Sequence, residues 1–240
     1  MRVVKNLLTG HWIKGHWQLI VITALVFALW NTPLLLPLKI LTVFFHEAAH
    51  GLAAVFTGGE IEALTLSAAQ GGMATTRGGN IFVIYSAGYL GSLAIGLLLF
   101  LIARHTRFDR ALMALLGLAM LLLTALYIRD FFAVVFTAVT AIALLASARF
   151  LRQSINDLFL RIIALTSMIY VPYDIFSDTI ARSTLRSDAF MLAERFGGSA
   201  LIWGGIWLVI SLVVIGICLR YGLGTTSNIQ FGQTRTDTTR

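Results

Sequence analysis

Charge is what this sequence has least of. Only 12% of its 240 residues are charged, about half the share found in ordinary soluble domains. That excludes a pair of soluble domains, because too few charged side chains exist to cover their surfaces. Cysteine is reduced to Cys218, so no disulfide can form within the chain and cysteine usage points to no redox compartment. The 3 prolines form no linker, no stretch is rich in serine, and no internal repeat of the kind that builds transporters is visible. Acidic residues number 11 against 18 basic ones, a net charge of +7. The basic residues are scattered through short connections rather than clustered on one element. They flank a membrane, and no nucleic-acid partner is expected.

What fills the chain instead is apolar: 58% of residues are hydrophobic and the mean hydropathy is +0.85. Apolar runs long enough to cross a bilayer lie near 18–36, 38–57, 81–103, 111–128, 131–148, 157–177 and 200–219. The fold class this predicts is an all-α membrane protein, a polytopic bundle of six to seven transmembrane helices. Arg2, Lys5 and Lys14 precede the first run as in a signal peptide. The run then meets Asn31-Thr32-Pro33 with no small-residue cleavage site, so it reads as a retained span. Strict alternation of spans would put Lys14 on the side reached after the second run. Counted that way, the two sides are too similarly basic for the positive-inside rule to orient the chain. The expected organisation is one membrane domain, 1–224, and a disordered polar tail, 225–240. A multi-pass protein of a bacterial cell membrane is the expected setting.

One insertion breaks the helical pattern. Residues 58–80 open on Gly58-Gly59, close on Gly78-Gly79 and carry Gln70-Gly71-Gly72 at the centre. A short β-hairpin is the natural reading. An edge strand there could hold an extended peptide through main-chain hydrogen bonds, with Leu64, Leu66, Gly71 and Gly72 as candidate substrate-binding residues.

The second run contains His46-Glu47-Ala48-Ala49-His50. Histidines four apart share one helix face and can reach one metal ion, and the glutamate between them can act as general base toward a water activated there. Such groups cost several kcal/mol (an order of magnitude) inside an apolar span unless they are satisfied, so a functional role is the default. A third ligand must come from elsewhere. The sixth run reaches the same side and ends with Asp174 and Asp178, four apart on one face. Counting residues from the membrane end puts Asp174 near the depth of the histidines. Asp188 follows in the next loop, where it or Ser187 could instead cap a helix. Pro172 is expected to break the sixth helix locally. His11, His16 and His105 lie in basic flanks and read as interfacial.

Four stretches together resemble the site-2 protease superfamily of membrane zinc metallopeptidases, its small B-like branch. They are FFHEAAHGLAAVFTGG, QGGMATTRGG, SAGYLGSLAIG and YVPYDIFSDTIARSTLRSDAFMLAERF, spanning about 44–210. The resemblance implies one Zn2+ per chain on His46 and His50, with Glu47 as catalytic base. It also implies peptide-bond cleavage at membrane depth in transmembrane or membrane-anchored proteins. Better-known members take the third ligand from an Asp-Gly element, and this chain has no Asp-Gly. Asp174 is therefore the first candidate, with Asp178 and Asp188 as alternates. A competing reading is a non-catalytic membrane protein, either a former protease that binds membrane partners or a bundle that moves ions or protons.

Overall fold

A computed structural model describes residues 10–182, 186–223 and 226–229. Eight helices and one hairpin follow in order: α1 (Gly10–Ala28), α2 (Leu36–Phe56), β1 (Glu60–Leu66), β2 (Gly72–Arg77), α3 (Ile81–His105), α4 (Asp109–Tyr127), α5 (Phe131–Phe150), α6 (Gln153–Phe176), α7 (Asp188–Phe196) and α8 (Ala200–Gly222). The all-α bundle with a small hairpin is thus the observed architecture. Six segments are long and apolar enough to cross a membrane: Pro33–Phe56, Ile81–His105, Asp109–Tyr127, Phe131–Phe150, Gln153–Ala181 and Ala200–Tyr221. The α1 segment, apolar over Trp12–Ala28, is shorter than these.

The start of α1 lies at the end of the bundle away from the hairpin. Residues just after α8 run along it: Ser227 N donates to Gly15 O at 2.8 Å and Asn228 Nδ2 to Lys14 O at 2.7 Å. Arg161, near the start of α6, donates to Ser227 O and pairs with Asp157 at 2.9 Å. Lys14 therefore sits opposite the hairpin, not beside it as strict alternation of spans implies. Of the expected tail, 226–229 are held in this way, and the rest lies outside the described residues.

Three helices frame the site. Pro33 starts a 3-10 turn, and Pro37 stands in the first turn of α2, where its missing N–H costs no helix bond. Beyond α2, Gly59 packs so closely on Gly78 that a Cβ there would meet its carbonyl carbon at 2.7 Å, which closes the hairpin base. Asn80 caps α3 by accepting from Val83 N at 3.2 Å. α3 returns between α2 and α6, with Ser167 Oγ donating to Ser92 O at 3.1 Å.

The hairpin pairs Leu66 with Gly72 and Leu64 with Ala74, and Leu64 and Leu66 point into the core, 1% and 5% exposed. On its other edge β1 bridges to Ile128, in the turn between α4 and α5. That turn separates two full helices. Asp130 caps α5 by accepting from Ala133 N at 2.8 Å, and Thr124 Oγ1 donates to Thr137 Oγ1 at 2.8 Å between the two helices.

Helix α6 runs through Pro172 without stopping, and the irregularity comes one turn later as a π-helical turn, Ser177–Ala181. The wide turn ends the span and turns the chain toward α7. Gly197 and Gly198 then both take positive φ, +85° and +86°, a reversal that leads into α8.

Candidate metal centre

Helix periodicity does the first part of the work. His46 and His50 stand one turn apart on the face of α2 that meets α3, their rings 4.7 Å apart between centroids. Space for both comes from Gly88 on α3: a Cβ there would lie 2.4 Å from His46 Nε2 and 2.5 Å from His50 Nε2. The first turn of α3 also orients one ring. His50 Nδ1 donates to Ile84 O at 2.6 Å, leaving Nε2 as the free ligand nitrogen.

The third group is Asp188. Ser187 takes the capping role at the start of α7, accepting from Phe190 N at 3.3 Å, so the Asp188 carboxylate is free to turn inward. Its Oδ2 lies 3.0 Å from His46 Nε2 and 3.2 Å from His50 Nε2. Among the described residues, His46, His50 and Asp188 are the group whose ligand atoms converge, all within 4.8 Å of one another. Burial opposes ionisation of Asp188, but the two imidazoles outweigh it and hold the carboxyl well below the usual carboxylate range.

Asp174 and Asp178 are placed otherwise. Asp178 accepts from Tyr89 Oη at 3.0 Å and from Arg182 at 2.7 Å. Asp174 lies outside the converging group. Both aspartates flank the centre, and it is Asp188 that touches both histidines. Tyr89, which sequence reasoning left unassigned, lies edge-on to His46 with ring centroids 4.8 Å apart. Gly88 and Tyr89 both belong to SAGYLGSLAIG, one of the stretches that carry the resemblance.

Glu47 is buried, 6% exposed. It lies under the start of β2: a Cβ at Gly72 would come within 2.6 Å of Glu47 Oε1. Gly72 and Gly71 are exposed, and Ser67 N donates to Gly71 O at 2.8 Å across the turn.

Residues 19–218 match the family described as Peptidase M50B-like. The chain belongs to that family. The match is consistent with the site-2 protease superfamily that the motifs resemble. With six candidate spans it is a multi-pass membrane protein of metallopeptidase type. No curated protein and no solved structure matches the chain.

The donor set fits a zinc ion. Two imidazole nitrogens and a carboxylate oxygen make up one of the ligand sets of catalytic zinc, and ligands about 2.0–2.1 Å from a tetrahedral ion lie roughly 3.3 Å apart. The separations of 3.0 Å and 3.2 Å are close to that spacing.

Proposed function

We propose that this protein is an intramembrane zinc metalloendopeptidase that hydrolyses peptide bonds of transmembrane or membrane-anchored proteins. The observation that carries the reading is the convergence of His46, His50 and Asp188 next to a buried glutamate inside a membrane-spanning bundle. His46, His50 and Asp188 would hold the ion. Zinc there supplies Lewis acidity, lowering the pKa of water to about 7 and polarising the scissile carbonyl.

The protein's own groups do the rest. Glu47 accepts the proton of the attacking water and passes it to the departing amine nitrogen, so one water is consumed and one peptide bond broken. The Ile84 carbonyl keeps the His50 ring turned toward the centre. Substrate has one strand edge to use, because Ile128 bridges β1 on its outer side. An extended segment would therefore lie along β2, near Gly71 and Gly72, and not on the inward-facing Leu64 and Leu66.

Glu47→Gln tests the reading. A general base typically contributes 10²–10⁴-fold, so cleavage of a membrane-helix substrate should fall by about that factor while the zinc content stays unchanged. A cellular phenotype rescued equally by wild type and Glu47→Gln would favour a non-catalytic, partner-binding protein.

A further inference from the structure

The end of the bundle opposite the hairpin carries a second built site, formed by α1 from Lys14 to Gln18, by Arg104 of α3 and by Arg161 of α6. Residues 226–229 lie in it. Ser227 N donates to Gly15 O at 2.8 Å, and Arg161 Nη1 donates to Ser227 O. Two residues on, Gln18 engages Ile229 twice. Ile229 N donates to Gln18 Oε1 at 2.5 Å, and Gln18 Nε2 donates to Ile229 O at 3.2 Å. Arg104 Nη1 donates to Thr226 O at 3.1 Å.

This is how an extended peptide is held by its main chain. In an extended chain, residues two apart turn their N–H and C=O groups to the same side, and here 227 and 229 are the two whose groups are both engaged. Their side chains are buried as well. Ser227 is 1% exposed, with Oγ 2.7 Å from His16 Nδ1, and Ile229 is 6% exposed. Arg161, itself buried, pairs with Asp157 on one side and needs an acceptor on the other, which Ser227 O supplies.

The start of α1 has little else to hold it. Among residues 12–18 the buried one is His16, and Ser227 is its hydrogen-bond partner. Ile13 and Trp17 are exposed, and the buried apolar stripe of α1 begins only at Leu19, continuing through Ile22 and Val26. We propose that Gly15, His16, Gln18, Arg104 and Arg161 form a peptide-binding cleft for an extended segment with a small hydroxyl residue and, two positions later, an aliphatic one. Its occupant is residues 226–229 of this chain, and that occupancy fastens the start of α1 to α3 and α6. The cleft does not depend on the function proposed for the metal centre.

Combining Ser227→Pro with Ile229→Pro in the full-length protein removes both main-chain donors of the segment and leaves every cleft residue in place. A fluorescent synthetic peptide of residues 225–231 is the probe. It should bind this double variant saturably in detergent and should not bind wild type, whose cleft is filled. Adding Gln18→Ala should weaken that binding about tenfold or more, because two hydrogen bonds are lost. No binding to the double variant, or equal binding with and without Gln18→Ala, overturns the cleft. Equal binding to wild type and the double variant overturns its occupancy by the chain's own segment.

Amide hydrogen exchange, read residue by residue by NMR in detergent micelles, tests the fastening. In the double variant the amides of residues 14–18 should exchange about tenfold or more faster than in wild type, while those of 22–26 and of α6 change little. Unchanged exchange at 14–18 overturns the fastening of α1. Should the prolines loosen α6 as well, Gln18→Ala alone gives the reading with the segment's backbone intact. Faster exchange at Ile229 and at 14–17 in that variant supports the cleft, and wild-type exchange at both overturns it.

Discussion

Tyr89 and Asp178 are joined by a 3.0 Å hydrogen bond from phenol to carboxylate, across from α3 to the π-turn that ends α6. That bond, with Arg182 on the other oxygen, engages both oxygens of Asp178 away from the histidines. It also sets the ring of Tyr89 against His46. The candidate metal centre is therefore flanked by a carboxylate that does not converge on the histidines, while a carboxylate from further along the chain does.

The first prediction is metal content. Protein purified in detergent should carry about one zinc per chain. His46→Ala and His50→Ala should each lose it, measured by elemental analysis after dialysis. Equal zinc in wild type and in the double histidine variant would remove the site as described.

The second concerns the three aspartates. Asp188→Asn should lower zinc occupancy more than Asp174→Asn or Asp178→Asn, because only Asp188 lies 3.0 Å and 3.2 Å from the two ligand nitrogens. Metal titration of the three variants gives the order directly. Normal zinc binding in Asp188→Asn with loss in Asp174→Asn would restore the assignment made from residue counting.

A methyl group provides the third. Gly88→Ala adds a Cβ 2.4 Å from His46 Nε2, so the ring must move. Zinc affinity should fall by about 10- to 100-fold, the scale seen when groups supporting metal ligands are disturbed. Gly205→Ala, where a Cβ meets nothing within 4 Å, should bind zinc as wild type does. The same loss in both variants would show a general packing effect.

The fourth separates the hairpin's core face from its working edge. Leu64 is 1% exposed, and Leu64→Ala should destabilise the protein by about 2–5 kcal/mol, seen as a lower thermal midpoint. Zinc binding by the variant that remains folded should match wild type. A variant of full stability with impaired cleavage would return Leu64 to the substrate site.

Much of this architecture is written in local pattern. Lengths of apolar runs place the spans, glycine pairs at 58–59 and 78–79 mark the hairpin, and the spacing of His46 and His50 puts two ligands on one face. What local pattern does not hold is the path of the chain between elements. Asp174 reads as the natural third ligand because depth along a straight helix is countable. The π-turn, the reversal at Gly197-Gly198 and the close seat of Gly204 against Thr179 bring α7 back under the site, and none has a period to count. Gly88, as a glycine, permits close approach. That it admits two imidazoles rather than a helix backbone depends on which face of α2 it meets.

Asp188 stands 142 residues beyond His46. The two histidines enter the membrane early in synthesis, on a helix complete by Phe56, while their partner is still untranslated. A nascent chain therefore cannot assemble the three-residue centre until the fifth span, Gln153–Ala181, has been threaded and the following segment has folded back. On the proposed function, newly made protein would be its own zymogen, harmless to neighbouring chains at the insertion site until its last quarter arrives.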